Sequence, residues 1–328
     1  MISISILFLQ GCSSENDDEQ IDGQLTDISF NMSWLPQGSM AGVITAIEKG
    51  YYAEEGLNVS AMRGFGGIRT VNELDQGMFE FGYGDPLAII LNRNNGGSAR
   101  MIGALNSRWP AGLCYVNERN KLNTPADLAG LKVGGGQSSP MQVIVPEWLT
   151  LNGVNPEDVT MMQLEPSIVS AALIEGDIDA GECWQGNSVA VFQKRAREAG
   201  LTVSWIEYSD FNLPIYGNGI VTTDKIIAEQ PELVAKFLRA TYRGYAYAGQ
   251  HQQEATEIMI KHYPTLDAAI TAQQVMEMTD LIGDQPGALE RTRVEATLNF
   301  LGGAYNVGDG VDVDEIYTTE FLPNNISE

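Results

Sequence analysis

The chain has 328 residues, a length that suits one large α/β unit or two lobes of about 100 to 150 residues each. It carries 43 acidic and 19 basic residues, a net charge of −24, which argues against nucleic acid or an anionic membrane surface as a partner because both repel such a field. Apolar residues make up 44% of the chain, in short runs, and after residue 20 none approaches the roughly 20 apolar residues of a transmembrane helix. We therefore expect a soluble body whose acidity is spread over its helix surfaces.

The cysteines and histidines have no spacing typical of a metal site. Cys12, Cys114 and Cys183 are far apart in the sequence, and both histidines, His251 and His262, fall in a late helical region. We expect neither a metal ion nor another cofactor. If Cys12 carries a lipid, Cys114 and Cys183 could pair, but two buried free thiols are the expected state.

The N-terminus has the pattern of an exported, lipid-anchored protein. Residues 1–11, MISISILFLQG, are an apolar segment too short to span a bilayer, and Leu9-Gln10-Gly11-Cys12 resembles a lipobox, which makes 1–12 a signal segment with Cys12 as the lipidation site. A basic stretch ahead of the apolar run is missing, so we expect translation to begin upstream. Residues 13–27 hold two isolated aliphatic residues among polar and acidic ones, which predicts a flexible acidic tether; an ordinary disordered N-terminus is the alternative. The favoured location is extracytoplasmic, with the membrane contacted through the lipid only.

From residue 28 onward, β-rich runs alternate with amphipathic helical stretches. The first series predicts strands at 28–32, 58–62, 79–83 and 101–105, and helices at 40–49, 68–76 and 86–92. The second series predicts strands at 131–136, 159–164, 180–183 and 203–208, and helices at 140–151, 167–175 and 188–199. After a strand at 218–222 the chain becomes almost wholly helical, starting with a long helix over 231–248.

This alternation predicts the α/β class, with two lobes that each hold a mostly parallel sheet flanked by helices. Extended crossings near 112–118 and 214–221 would form a two-crossing hinge. They divide the chain into lobe 1, residues 28–112 plus 222–322, and lobe 2, residues 113–221 with the crossings. Ligands of open α/β sheets bind beyond the carboxyl ends of the strands, so the cleft between the lobes is the expected site.

Several segments resemble one family of binding proteins. The most specific is EKGYYAEEGLNV, within the stretch from Trp34 to Val59, and further matches lie at 122–136, 175–185, 229–240 and 311–323. Together they are similar to the bacterial proteins related to thiamine-pyrimidine synthase, which serve importers of nitrate, sulfonate, taurine, thiamine precursors and flavins. The resemblance covers nearly all of residues 28–323.

The resemblance implies a type II periplasmic-binding-protein fold that captures a small organic solute and delivers it to an ABC permease with its ATPase. A monomer is expected. Pyrimidine synthases of the same fold are the rival, and their chemistry consumes a lysine and a histidine together with iron. Neither His251 nor His262 follows a predicted strand, so we expect a receptor and not an enzyme.

The candidate ligand-binding residues follow the predicted strands. Trp34 ends the first strand and offers an aromatic platform, while the Gly38 and Ser39 amides would lie at a helix N-terminus. Glycines beside Phe65 permit close backbone approach to a solute. The first-lobe set is Trp34, Gly38, Ser39, Phe65, Gly66 and Asp85. Asp85 is expected chiefly to cap the helix that starts at Pro86.

The second lobe offers a polar loop and a tryptophan. The loop before the helix at 140–151 could hold a carbonyl or anionic oxygen against the positive helix end, although a simple N-cap is the alternative. The set is Gln137, Ser138, Ser139, Glu182, Trp184 and Gln185, together with Tyr216 and Asn218 from the second crossing. Glu182 could instead point into solvent or pair with an arginine.

One departure from the family pattern bears on the ligand. Sulfonate and taurine relatives carry Trp-Asp where this chain has Trp184-Gln185, so the carboxylate that would meet a ligand ammonium is absent. This favours a flat heterocycle such as a thiamine-precursor pyrimidine, stacked between Trp34 and Trp184. A sulfonate, taurine or nitrate ligand is the alternative.

Overall fold

The protein folds around two five-stranded sheets. The computed structural model describes residues 25–137, 139–283, 286–307 and 310–323. The predicted signal segment, Cys12 and most of the predicted tether lie outside these residues. The two sheets confirm the α/β architecture expected from the alternating pattern.

The first sheet has the strand order β2-β1-β3-β10-β4. Strand β10 runs antiparallel to both of its neighbours, and the other strands are parallel to one another. The strands are β1 (Thr26–Asn31), β2 (Leu57–Met62), β3 (Phe81–Gly84), β4 (Ala99–Ala104) and β10 (Gly219–Thr223).

The second sheet has the order β7-β6-β8-β5-β9, and β5 is its antiparallel strand. Its strands are β5 (Ala111–Val116), β6 (Lys132–Gly136), β7 (Thr160–Leu164), β8 (Ala180–Trp184) and β9 (Val203–Glu207). We predicted an extended crossing where β5 lies. Its run of apolar residues is buried because the strand pairs with β8 on one side and β9 on the other.

Helices cover both sheets. They are α1 (Ala41–Glu48), α2 (Tyr51–Glu54), α3 (Gly67–Asp75), α4 (Pro86–Asn94), α5 (Met141–Leu151), α6 (Val169–Glu175), α7 (Ser188–Glu198), α8 (Asp224–Glu229), α9 (Pro231–Gln250), α10 (Gln252–His262), α11 (Ala268–Ile282), α12 (Arg291–Tyr305) and α13 (Val313–Ile316). None of the helices in the described part of the chain combines the length and the apolar character that a membrane span requires.

The C-terminal helices do not all pack on the first sheet's side. Helix α9 packs against α1 and α2, and Phe237 stacks on Phe81 of β3 with ring centroids 4.0 Å apart. Helix α12, however, packs against both α4 and α5, and thus contacts helices belonging to each sheet. The two sheets consequently share one hydrophobic cluster.

Cys114 and Cys183 form a disulfide, so the expectation of two free thiols is wrong. The cause is strand pairing: β5 and β8 are antiparallel neighbours, which brings the two Cα atoms to 5.8 Å although 69 positions separate the cysteines in the sequence. Sequence spacing alone cannot reveal such a pair, because strand order decides which distant residues meet.

Candidate functional site

A cleft of about 980 Å³ lies between the carboxyl ends of the two sheets. Segments after β1, β2 and β3 form its first wall, and segments after β6, β7 and β8 form its second wall. The two segments that join the sheets contribute Trp109, Pro110 and Asn218. The location is the one expected for a ligand of an open α/β sheet.

The first wall is held by a closed network of polar side chains. Asn31, at the end of β1, accepts hydrogen bonds from the Ser33 amide at 2.9 Å and from the Thr70 hydroxyl at 3.2 Å. Its own amide group donates to Glu73 at 2.8 Å, and Arg69 donates to the other oxygen of Glu73 at 2.6 Å. These bonds fix the turn after β1 against α3, so the aromatic residues that follow are carried by a rigid backbone.

Two aromatic side chains of the first wall are exposed to the cleft. Trp34 is 43% exposed and Phe65 is 53% exposed, unusual values for large apolar side chains. The guanidinium groups of Arg63 and Arg69 lie 4.4 and 4.5 Å from the Phe65 ring centroid. Cation–π contacts therefore orient Phe65 while leaving ring surface available.

Asp85 both caps a helix and lines the cleft. Its side chain accepts a hydrogen bond from the Ala88 amide at 2.9 Å, which satisfies the first turn of α4. The other carboxylate oxygen lies beside Gly67, where an added Cβ would come within 2.0 Å of it. Burial raises the pKa of Asp85, partly offset by its backbone hydrogen bonds.

Glu182 provides a buried carboxyl group on the second wall. It is 8% exposed, and burial raises its pKa to about 7 against the hydrogen bonds from Ser139, the Gly136 backbone and Trp184. Among the described residues, no lysine or arginine pairs with it. Both alternatives considered from the sequence, a solvent-exposed Glu182 and one paired with arginine, are therefore wrong.

Several buried polar atoms near the second wall and the crossings lack a partner among the described residues. These atoms are the indole nitrogen of Trp109, the hydroxyls of Tyr208 and Tyr216 and the side-chain oxygen of Asn218. Trp109 packs edge-on against Trp184, with ring centroids 5.0 Å apart. Buried polar groups are nearly always hydrogen-bonded, so Trp109 and Asn218, which line the cleft, are groups that a bound solute could satisfy.

The sequence matches one protein family over most of its length. A family profile described as NMT1/THI5-like matches residues 37–255. The chain belongs to this family.

Its relatives include binding proteins and enzymes. The riboflavin-binding protein RibY of Chloroflexus aurantiacus is 26% identical, covering 91% of this chain and 87% of that protein. The formylaminopyrimidine-binding protein of Halalkalibacterium halodurans is 24% identical, covering 78% and 76%. A 4-amino-5-hydroxymethyl-2-methylpyrimidine phosphate synthase of Legionella pneumophila is 22% identical, covering 90% and 92%.

Solved structures share the fold. The periplasmic aliphatic sulphonate binding protein SsuA of Escherichia coli superimposes with a TM-score of 0.73 at 15% identity, covering 88% of this chain and 96% of that one. At such an identity the likeness confirms the periplasmic-binding-protein fold and nothing about the ligand.

In this NMT1/THI5-like chain, the cleft brings together ten of the predicted site residues. They are Trp34, Ser39, Phe65, Gly66, Asp85, Ser139, Glu182, Trp184, Gln185 and Asn218. Ser138 lies outside the described residues. Contact with a ligand remains a prediction for all of them.

Three predicted residues lie elsewhere. The Gly38 amide donates to the Gln274 side chain at 2.9 Å, so it is not free for a ligand. Gln137 is exposed away from the cleft, and its amide donates to the Leu164 carbonyl at 2.9 Å. Tyr216 is 1% exposed within the hydrophobic cluster that the two sheets share.

Gln185 lines the cleft but is already engaged. Its side-chain oxygen accepts from Arg108 at 3.1 Å, and Arg108 also binds both oxygens of Glu207. Arg108 thus fixes the orientation of the Gln185 carboxamide, whose NH₂ group remains available to a solute.

The sequence analysis missed Tyr83 and Trp109, which also line the cleft. Tyr83 is the last residue but one of β3. Its hydroxyl accepts from Asn106 at 3.1 Å, and burial raises its pKa to about 12. The rule that loops after strands hold the site could have found Tyr83. Trp109 lies ahead of the unpredicted strand β5, so that rule could not have found it.

Proposed function

We propose that this protein is the solute-binding receptor of an ABC importer, and that its cleft binds a flat, uncharged heterocycle related to a pyrimidine. The observation that carries the proposal is the cleft itself, which has exposed aromatic rings on the first wall and buried, incompletely satisfied polar groups near the second. Aromatic rings stack on a planar solute, and convergent polar groups fix its orientation.

The polar groups suit a neutral heterocycle. Trp109 supplies an N–H donor and Asn218 a carbonyl acceptor. Glu182, whose pKa of about 7 keeps part of its population protonated near neutrality, can donate as well as accept. A pyrimidine or isoalloxazine edge carries alternating donors and acceptors of this kind. Two relatives are named for the binding of such molecules, riboflavin and a formylaminopyrimidine.

A sulfonate is the competing ligand, favoured by the structural likeness to SsuA. Of the described residues that line the cleft, Arg69 alone is basic, and it is paired with Glu73. Glu73, Asp85 and Glu182 also line the cleft, and whatever charge Asp85 and Glu182 carry would oppose a bound sulfonate. The charge distribution therefore supports the heterocycle.

The histidines favour a receptor over a synthase. His262 pairs with Glu48 on the surface, and His251 stacks on Tyr247 at the junction of α9 and α10. Neither histidine lines the cleft. A reaction that consumes a histidine at the site, as the rival function requires, has no such residue there.

The disulfide supports an extracytoplasmic location. Disulfides persist in oxidising compartments and are rare in the cytosol, and Cys114 and Cys183 are both fully buried around theirs. We propose lipid attachment at Cys12, a monomeric state, and closure of two lobes about the crossings. The proposed lobes are residues 28–112 with 222–322, and residues 113–221. Their support is that β1–β4 and β10 form one sheet and β5–β9 form the other.

A thermal-shift screen tests the ligand. Riboflavin, aminopyrimidines, an aliphatic sulfonate and nitrate are added to the purified protein, and a ligand that binds only the folded state raises its melting temperature. Calorimetry then compares wild type with Trp34→Ala and Ser139→Ala. We expect a heterocycle to bind and to lose affinity in Trp34→Ala. If an aliphatic sulfonate binds tightly, with the same affinity in Trp34→Ala, the heterocycle proposal is wrong and the ligand is a sulfonate.

A further inference from the structure

Helix α11 lies where the two walls of the cleft meet, and one of its side chains is bonded to both. The Gly38 amide donates to Oε1 of Gln274 at 2.9 Å, and Nε2 of Gln274 donates to the Asn187 carbonyl at 2.7 Å. Gly38 belongs to the segment after β1, and Asn187 to the segment after β8. A single carboxamide thus joins the first sheet's wall to the second sheet's wall.

Glu277, one turn further along α11, adds a second bond to the same wall. The Gly186 amide donates to its Oε2 at 2.7 Å, and the Gln273 side chain donates to its Oε1 at 2.8 Å. Gln274 is 5% exposed and Glu277 is 6% exposed. Because these bonds are shielded from water, losing one partner leaves a buried polar group unsatisfied.

The first wall packs tightly on Gln274, because a Cβ added at Gly38 would lie 2.3 Å from the Cβ of Gln274. The two walls also approach each other here, since a Cβ added at Gly186 would lie at ordinary contact distance, 3.6 Å, from the Cβ of Ser39. The Leu281 carbonyl, near the end of α11, accepts from the Ser107 amide at 2.6 Å on the first segment joining the sheets. Helix α11 therefore holds both walls and one crossing together.

We propose that α11 is a latch across the hinge, and that Gln274 is a positioning residue that sets the two walls of the site in register. Trp34 and Ser39 line the first of these walls, and Trp184 and Gln185 line the second. The effect of the latch on ligand affinity rests on the proposed receptor function. The existence of the latch does not depend on that function.

Gln274→Glu tests the latch in the full chain without ligand. The introduced carboxylate still accepts from the Gly38 amide, but it presents a second oxygen, instead of an NH₂ group, to the Asn187 carbonyl. We expect the hydrogen-exchange protection of the Gly186 amide, measured by NMR at about pH 8, to fall about tenfold or more, while Gly38 stays within about threefold of wild type. Loss of fold stability alone would lower both amides together.

Lowering the pH should restore the hydrogen bond to the Asn187 carbonyl in Gln274→Glu. Glu277 and Asp280 follow position 274 on α11, and these acidic neighbours favour a protonated carboxyl there. At about pH 5 the protonated group can donate to Asn187 again, so protection at Gly186, corrected for the intrinsic exchange rate, should return toward wild type. The control is Gln230→Glu, the same change at an exposed residue whose side chain does not cap α9.

A second variant tests the latch in case Gln274→Glu does not fold. Glu277→Met removes the acceptor of the Gly186 amide but leaves Gln274 in place, so Gly186 should lose protection and Gly38 should keep it. Wild-type protection of Gly186 in both variants, or an equal loss at Gly38 and Gly186, overturns the latch. Riboflavin titration adds the functional arm: if wild type binds it, Gln274→Glu should bind about tenfold more weakly at about pH 8. If wild type binds none of the screened solutes, the proposed function fails while the exchange result still decides the latch.

Discussion

The two walls of the cleft differ in how their polar groups are used. On the first wall, the polar side chains are bonded to one another or, like Asp85, to a helix end, and Trp34 and Phe65 provide the exposed apolar surface. On the second wall, the carboxyl group of Glu182 is buried, and no lysine or arginine of the described residues pairs with it. A wall with a satisfied network can present a rigid stacking surface. A wall with a buried, partly protonated carboxyl group can discriminate among solutes by hydrogen bonding.

Removing the disulfide should give the largest effect, because it constrains the sheet behind the second wall. Closing a loop whose ends are 69 positions apart stabilises a folded protein by about 4 kcal/mol when the unfolded chain is treated as flexible. The double variant Cys114→Ala, Cys183→Ala should lose about that much, measured by urea unfolding under non-reducing conditions. Adding a reductant should destabilise wild type and leave the variant unchanged. Equal stability of the two proteins would show that the disulfide contributes nothing to the fold.

Glu182→Gln should make stability less dependent on pH. Burial raises the Glu182 pKa from 4.5 to about 7, so between these values the folded protein holds a proton that the unfolded chain has lost. The free energy of unfolding therefore falls as the pH rises through this window, by up to about 3 kcal/mol, and levels off above it.

We expect Glu182→Gln to be more stable than wild type above about pH 7 and similar to it near pH 4, in chemical unfolding across this range. Glu157→Gln, a change at an exposed carboxyl, is the matched control. A wild-type curve that runs parallel to that of Glu182→Gln would contradict the assignment of this titration to Glu182.

Trp34→Ala should separate binding from stability. Stacking on an indole contributes about 0.5 to 1.5 kcal/mol beyond area burial, and lost contact area adds to it, so affinity should fall about tenfold or more by calorimetry. Because Trp34 is 43% exposed, whereas most large apolar side chains are buried, the melting temperature of the free protein should change little. Trp184→Ala should lower both, since Trp184 packs on Trp109. If Trp34→Ala destabilised the free protein as much as Trp184→Ala does, the two tryptophans would not differ in their contribution to stability, and the proposed difference between the walls would be wrong.

Phe65→Leu should give the smallest effect. It removes two exposed cation–π contacts, from Arg63 and Arg69, each worth about 0.5 kcal/mol, together with part of the ring surface at the rim. We expect affinity to weaken by about threefold with the fold unchanged, measured by the same calorimetry. If Phe65→Leu weakened the affinity as much as Trp34→Ala does, Phe65 and not Trp34 would be the main stacking residue.

Most of the fold was predictable because its strands and helices carry clear periodicity. The strand at β1 and the stripe of α9 follow directly from apolar spacing. Strand β5 was missed because its residues, buried throughout, carry no alternation and were interpreted as the first crossing. The disulfide was missed for the same reason, since only the β5–β8 pairing brings its cysteines together.

The site was predictable where a residue follows a strand, as Trp34 and Asp85 do, or ends one, as Trp184 does. Gly38 was misplaced because its partner, Gln274, is 236 positions away in the sequence. Tyr216 was misplaced because an aromatic residue in an extended crossing looks the same in a sequence whether it faces a ligand or a core. Long-range packing decides both cases.

Strand β10 is inserted between β3 and β4, and it comes from the chain after the whole second sheet has been passed. As the chain is synthesised, residues up to 104 can form β2, β1 and β3 side by side, but β4 has no neighbour to pair with until residue 219 follows. Nucleation by local contacts is therefore confined to part of the first sheet, and its completion waits for a contact of high sequence separation. The first sheet therefore stays incomplete until about two thirds of the chain has been made, so this half of the molecule folds late even though most of its strands are synthesised first.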